Sequence, residues 1–371
     1  MTQRVLIWVQ HLLGIGHFMR AKLVAESLAE SGFRVILLSG GPLPADTDVR
    51  GVELVRLPAV RAKNILFDEL VDDTGQPPSP ALMDARRNTI LGAFDGFAPD
   101  CMITETFPFG RRLLRAELIA LVEHLRAASP RTKLVSSVRD VVQRPRKADR
   151  ADEMVTFAEQ SYDAILVHSD PSVVLAESSF PEMSRVRHLF RYTGYICRGA
   201  RAQIPARDDV LISAGGGAVG QRLIDVAEQA RDLSILRQKP WTIVMGPLSE
   251  GQPSASGGLS KVRSLPDFAM RLANAALSVS QAGYNTMAEV LIARTPTVVV
   301  PFETDREQEQ ITRARCFAER GLVELVREAD LTPATLAQAM DRACTRGMAD
   351  HAINLDGRLG TVNALREILA S

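Results

Sequence analysis

Gly283, Tyr284, Asn285, Thr286 and Glu289 have the types and spacing of a site for an anion and a pair of hydroxyls. Glycine lets a backbone approach closely, and the residues after it begin a helix whose unpaired N–H groups and positive dipole end would hold a diphosphate. One and a half turns on, Glu289 points back toward the same mouth, where a carboxylate accepts two hydrogen bonds from adjacent hydroxyls such as those of a ribose. The competing reading is a glutamate on a solvated helix face. A second centre is His17, at the head of a helix after Gly14 and Gly16. A neutral imidazole there could take a proton near neutral pH, or it could simply cap or pack. Glu105 and Asp140 close two strands and are carboxylates suited to the same proton transfer. Arg111 and Arg139 lie beside them in the chain as candidate acceptor contacts. Arg139 also opens a basic run with Arg144, Arg146, Lys147 and Arg150, which could meet an anionic acceptor or a membrane surface, although such runs are more often solvated.

Further along, Gly215, Gly216 and Gly217 would expose backbone amides to a phosphate at little steric cost, or form a tight turn without contact. Pro266, Asp267 and Phe268 follow a strand whose free backbone groups could read a pyrimidine edge. After Pro301 and Phe302, the residues Asp305, Gln308 and Glu309 could satisfy a hexose, whose several hydroxyls need paired hydrogen bonds of roughly 0.5–1.5 kcal/mol each. The pair Asp46 and Asp48 resembles a carboxylate clamp for a divalent metal, but no third ligand stands near it in the sequence, so no metal site is expected.

These residues need a scaffold that brings strand ends together. Apolar runs at Arg4 to Gln10, Phe33 to Leu38, Gly51 to Leu57, Asp100 to Thr104, Lys133 to Val138 and Ala164 to Val167 read as strands, with helices at Phe18 to Ser31 and Leu82 to Phe94. Their polar ends would lie on one side of one parallel sheet. The stretch from Arg198 to Asp209 is polar and aperiodic, the best linker. The theme restarts at Val210 with strands at Trp241 to Met245, Val262 to Leu265, Ala276 to Val279 and Thr297 to Val300. Two α/β domains are therefore expected, residues 1–198 and 209–356, joined by 199–208, with a last helix in 357–371 that packs back on the N-terminal domain.

The chain has 371 residues, 46% of them hydrophobic and 24% charged, with a formal net charge of zero. That balance argues against a general nucleic-acid binder. Cys101, Cys197, Cys316 and Cys344 are scattered without metal-ligand spacing, which favours a reduced, cytoplasmic setting. No apolar run reaches the length of a membrane span.

Two Rossmann-like halves, the Gly-x-Gly-His turn at Gly14 to His17, and Ser280-x-x-Gly283 with Glu289, then Pro301-Phe302 and a Gln-rich helix start, together resemble the GT-B nucleotide-sugar glycosyltransferases. Within them the resemblance is to glycosyltransferase family 28, which includes peptidoglycan N-acetylglucosaminyltransferases acting on a lipid-linked acceptor. It implies an α/β GT-B fold, two Rossmann-like parallel-sheet domains facing across a cleft, with acceptor in the first and donor in the second. Glu289 falls where the family binds ribose, Gly283 to Thr286 at its phosphate-binding helix start, Gln308 at a sugar-binding glutamine, and His17 at its N-terminal histidine. The expected activity is an inverting, metal-independent transfer from a nucleoside diphosphate sugar, with uridine favoured by resemblance alone and no cofactor. The acceptor would be a small molecule, a lipid-linked species or a glycan, with peripheral contact at the inner membrane face. Where the family has an adjacent glutamine pair this chain has Gln308-Glu309, and Glu105 to Arg112 and Arg139-Asp140 match no family motif. A nucleotide-sugar hydrolase, a 2-epimerase and a silent nucleotide-sugar binder share the scaffold and stand as alternatives.

Overall fold

The computed structural model of the chain describes residues 2–64, 67–198, 208–215, 220–246, 251–305 and 307–371. These form two compact units, one of Met1–Pro171, Leu175–Ile196 and Asp356–Ser371, the other of Ser172–Val174 and Cys197–Leu355.

In the first unit, short apolar runs without helical period become buried strands: β1 (Arg4–Val9), β2 (Arg34–Ser39), β3 (Glu53–Arg56), a small hairpin of β4 (Arg61–Ala62) and β5 (Leu70–Val71), then β6 (Cys101–Glu105), β7 (Lys133–Val138), β8 (Ala164–Val167) and β9 (Phe190–Tyr192). Helices α1 (Gly16–Glu30), α2 (Pro80–Phe97), α3 (Arg115–Ala128), α4 (Ala148–Ser161) and the single turn α5 (Ala176–Ser179) fall between them. The main sheet runs β3-β2-β1-β6-β7-β8-β9 with every neighbouring pair parallel. Parallel pairing requires crossovers, so every strand of this sheet ends on the same edge. That edge receives His11, Glu105, Asp140 and His168.

The second unit repeats the plan with β10 (Asp209–Ser213), α6 (Gln221–Ala230), β11 (Trp241–Val244), β12 (Ser254–Ser256), β13 (Leu259–Val262), α7 (Phe268–Asn274), β14 (Ala275–Ser280), α8 (Tyr284–Ala293), β15 (Thr297–Val299), α9 (Glu309–Glu319), β16 (Glu324–Leu325) and α10 (Pro333–Arg346). Its sheet order is β12-β13-β11-β10-β14-β15-β16, parallel except for β12 against β13. The strand expected at Val262 to Leu265 lies three residues earlier. Gly257 and Gly258, at φ of 54° and 79°, close a two-residue hairpin and fix the register of both strands.

The last helix, α11 (Gly357–Ala370), belongs to the first unit. Arg358 donates to Ser27 Oγ at 2.6 Å and to Glu30 at 2.9 Å on α1. A Cβ on Gly360 would stand 2.0 Å from the Thr193 carbonyl oxygen, so close packing against the strand end dictates glycine there.

Beneath the carboxyl edge of this sheet, Arg86 of α2 is fully buried and bonded bidentately to Glu117 of α3 at 2.9 and 3.0 Å. Its remaining donors reach Gln10, Gly40 and Pro58, at 2.6 to 3.1 Å. Gln10 in turn donates to Val60 and His11, so this ion pair pins the backbone that leads into the His17 turn. A pair taken out of water survives only when its hydrogen bonds are complete. Glu117→Gln is therefore expected to lower the stability of the first unit by about 3–5 kcal/mol, read from the midpoint of its urea unfolding transition. The paired change Arg86→Met with Glu117→Leu, which strands no charge, is expected to cost less than either single change.

Candidate active site

His17 is the second residue of α1, with its side chain 18% exposed. The apolar run of β6 ends by delivering Glu105, 1% exposed, beneath it. His17 Nδ1 lies 2.9 Å from Glu105 Oε1. Arg20, one turn further along α1 and itself 1% exposed, pairs with the same oxygen. The other carboxylate oxygen accepts from Ser137 Oγ at 2.7 Å. Glu105 is thus not an open base but a fixed anion against the imidazole. Thr106 follows at φ of 69°, an outlier for a β-branched residue, at a cost of order 1–3 kcal/mol. The strained turn is held by Thr106 N donating to Ser137 O at 2.8 Å, and it brings Thr106 Oγ1 within 3.3 Å of Glu105 and 3.4 Å of His17.

Burial first, then the guanidiniums of Arg111, Arg139 and Arg20, hold the His17 pKa well below the ordinary imidazole value. Glu105 would raise it, but its charge is already shared with Arg20. His17 is accordingly a neutral base at neutral pH, with Nδ1 turned to Glu105 and Nε2 the nitrogen left to receive a proton. Arg111 and Arg139 act on this imidazole through their charge, so the structure brings both to the neighbourhood of His17.

Asp140 is fully buried, with its carboxylate accepting from Val141 N at 2.8 Å and from Tyr195 Oη at 3.4 Å. Enclosed in this way it braces the strand end and does not stand where a substrate proton could reach it. Gly14 is exposed, and a Cβ there would meet nothing within 4 Å, whereas Gly16 opens α1. The glycine that packing demands near this turn is Gly41, where a Cβ would fall 2.4 Å from the His11 ring. Nothing in the Gly-x-Gly-His pattern pointed to it. Of the basic run, Arg144 is bonded through both Nε and Nη2 to Glu182.

In the second unit, β14 ends at Ser280 and α8 begins after Gly283, whose cap position carries no side-chain hydrogen bond and where a Cβ would meet nothing within 4 Å. Tyr284, Asn285 and Thr286 form the first turn of α8, the positive end of its dipole. Asn285 and Thr286 are half-buried. Tyr284 is 3% exposed and its ring packs against Arg313, 5.7 Å from the centroid, so only its backbone faces the helix start. Glu289 is 7% exposed, which removes the solvated-face reading. Burial raises its pKa and Arg198, 3.8 Å away, opposes that shift.

Gly215 has φ of 76°, and a Cβ on it would lie 3.1 Å from Gln281 Oε1, so the β10 and β14 ends converge there. Gly216 and Gly217 lie outside the described residues. At Pro266-Asp267-Phe268 the free-backbone expectation does not hold: Phe268 N donates to Leu265 O at 3.2 Å and Asp267 O accepts from Arg271 N at 3.0 Å. The turn satisfies itself because a helix starts at Phe268. Asp305 and Gln308 are exposed before α9, with Gln308 Nε2 on Thr304 O at 2.6 Å. Glu309, read as a hexose ligand, instead meets Arg313 at 2.7 Å, and Gln310 Oε1 accepts from Phe302 N at 3.1 Å. Arg313 is fully buried and donates to Ala282 O at 2.7 Å, beneath the α8 turn. Sequence reasoning missed it, since an arginine four residues after a glutamate reads as a solvated pair. Among the described residues, no cluster of His, Cys, Asp or Glu has the geometry of a metal site.

Comparison with known proteins finds likenesses to part of the chain and to its fold. Residues 212–352 match the model of the glycosyltransferase family 28 C-terminal domain. A UDP-N-acetylglucosamine–N-acetylmuramyl-(pentapeptide) pyrophosphoryl-undecaprenol N-acetylglucosamine transferase of Symbiobacterium thermophilum is 28% identical over 219 residues, 56% of each chain. The chain thus matches little more than half the length of that relative. The protein of the same description from Phenylobacterium zucineum is 38% identical over 79 residues, 21% of this chain and 22% of its own. Among solved structures, Acinetobacter baumannii MurG is similar with a TM-score of 0.62 at 15% identity, covering 98% of this chain and 99% of its own. CalG4, the calicheamicin glycosyltransferase, gives a TM-score of 0.61 at 17% identity, covering 100% and 95%. The fold is GT-B. The match to the family 28 model is confined to the second unit of that fold.

His17, His11 and His168 share a consequence for stability. Burial holds each folded-state pKa below the unfolded value. Below a pH of about 6.5 the unfolded chain takes up protons that the folded one refuses. The stability of the first unit is therefore present above that pH and lost as pH falls from about 6.5 toward the depressed values. Urea midpoints measured from pH 7.5 down to pH 5 are expected to fall, and less steeply in His168→Gln.

Proposed function

We propose that the chain moves a sugar from a UDP-linked donor to an acceptor hydroxyl by a single inverting displacement that needs no metal ion. The observation that carries this is the 2.9 Å contact of His17 Nδ1 with the buried Glu105 carboxylate, which directs Nε2 to an incoming proton. In the step itself the acceptor oxygen loses its proton to His17 Nε2 as it forms a bond to the anomeric carbon. The bond from that carbon to the β-phosphate oxygen breaks, and its electron pair leaves on the diphosphate. Glu105 stabilises the imidazolium that results and is not protonated itself, because Arg20 and Ser137 hold its charge. On the second unit, the uncapped start of α8 at Gly283 to Thr286 stabilises the charge that builds on the diphosphate. Glu289, already largely desolvated, accepts the two ribose hydroxyls at small further cost in lost hydration.

Uridine rests on likeness to relatives whose names specify UDP-N-acetylglucosamine. The acceptor lies with the first unit, which the family model does not cover, and the reading names it only as a hydroxyl-bearing compound. It places the reaction in the cytoplasm, with contact at the membrane face if the acceptor is lipid-linked. Among the described residues no helix is long and apolar enough to cross a membrane.

Calorimetric titration with UDP, dTDP and GDP tests the donor side. UDP is expected to bind best, in EDTA as well as in Mg²⁺. Glu289→Ala is expected to weaken it about tenfold or more, one charge-assisted hydrogen bond being roughly 1.5–3 kcal/mol. Equal affinity for the three nucleotides, or UDP binding lost on chelation, would overturn that side of the proposal. Release of free sugar without acceptor, at the rate of any transfer, would favour a hydrolase.

A further inference from the structure

Three residues outside the dyad are tied to it by a continuous chain of buried hydrogen bonds. Ser137 Oγ donates to Glu105 Oε2 at 2.7 Å and also lies 3.0 Å from His168 Nε2. His168 Nδ1 lies 2.8 Å from Thr193 Oγ1. Ser137 is 3% exposed, His168 0% and Thr193 1%. They sit on β7, just after β8 and just after β9, so the chain crosses the carboxyl edge strand by strand, away from His17.

Counting protons gives the chain a direction. Ser137 has one hydroxyl proton, and the carboxylate of Glu105, which can only accept, takes it. Toward His168 the serine oxygen must therefore accept, which puts the proton of the neutral His168 ring on Nε2. Nδ1 is then an acceptor, and Thr193 supplies its hydroxyl proton. At the other end, Glu105 Oε1 also accepts from Arg20 and Thr106 Oγ1 and lies 2.9 Å from His17 Nδ1, a distance at which two bare acceptors would repel, so His17 carries its proton on Nδ1 and Nε2 is bare. Thr193 Oγ1 also lies 3.1 Å from Gly194 O, a longer contact than its 2.8 Å to His168 Nδ1.

We infer that Ser137, His168 and Thr193 are positioning residues, a one-way relay of hydrogen bonds that fixes the Glu105 carboxylate and through it the tautomer of His17. This rests on the reading of His17 as the proton acceptor. The reason for burying a histidine here lies in what a neutral imidazole supplies. It is a rigid group with one donor and one acceptor on opposite sides, and it spans from the β9 end to Ser137 without adding charge beside Arg20. Alanine at 137 would leave the His168 N–H without its acceptor and one lobe of Glu105 without its donor. The charge on Glu105 would then be less dispersed and would favour the imidazolium of His17 more. Charged groups acting on His17 from the surrounding elements are Arg20 on α1, Arg111, Arg139 and His11, and the substitution alters none of them.

The test is ¹⁵N spectroscopy of the histidine side chains in the full chain, which has six histidines, with His17→Gln identifying its resonances. The expected wild-type result is a single His17 tautomer protonated on Nδ1. In Ser137→Ala, the His17 ¹⁵N signals are expected to move and its titration to shift to higher pH than in wild type. Ser137→Thr, which keeps the hydroxyl, is expected to resemble wild type. Thr193→Val probes the far end should the alanine variant not fold, and there the His168 signals are expected to move first and those of His17 with them. A wild-type His17 protonated on Nε2, or His17 signals unmoved in both variants, would overturn the relay. The measurement needs neither donor nor acceptor. A chain with the relay intact but no transferase activity would refute the proposed function alone, and a transferase without it would refute the relay alone.

Discussion

The first unit depends on one desolvated negative charge. Glu105 at the end of β6 is nearly inaccessible, and a carboxylate buried there without partners would be costly. Arg20, His17 and Ser137 together make the ion tolerable. They also make it useful, because an anion held on several sides imposes a direction on whatever imidazole touches it. The strained backbone at Thr106 and the enclosure of Asp140 follow from this arrangement. The buried Arg86–Glu117 pair does for the entering loop at Gln10 and His11 what Arg20 does for the leaving one.

The second unit approaches its ligand differently. Its polar equipment at the α8 start is mostly backbone, and the fully buried Arg313 ties that turn from below through Ala282 O while Glu309 neutralises it. A backbone site of this kind is set by where a strand stops and a helix begins. Such features follow from glycine placement and apolar runs, which is why the family signal lies in residues 212–352. A side-chain site such as the Glu105 cluster is set by which residues the sheet order places side by side, and β1, β6 and β7 are neighbours in space but far apart in the chain.

That difference explains what could be read in advance. The strands at Arg4, Lys133 and Ala164 were legible because four to six consecutive apolar or β-branched residues have no other way to be buried. The strand at Phe190–Tyr192 was not, since three residues carry no period, and the register of Leu259–Val262 was set by a glycine turn that the loose Gly/Ser segment concealed. His17 and Glu105 were each legible as polar residues at strand or helix ends. Their pairing across 88 positions was not, because it depends on β6 lying beside β1. Glu289 was legible as to position but ambiguous as to burial.

Proton counting has more force in a cluster of this kind than distance alone. A hydrogen bond between hydroxyl and imidazole can run either way, and a structure without hydrogens does not say which. Direction enters only where one member has no choice, and here that member is the Glu105 carboxylate. From it the assignment spreads outward in both directions, to His17 on one side and to Ser137, His168 and Thr193 on the other. If Glu105 were neutral, it would donate one proton itself and the polarity of every bond in the cluster would be open. The ion pair with Arg20 is therefore part of what gives the imidazole a defined face.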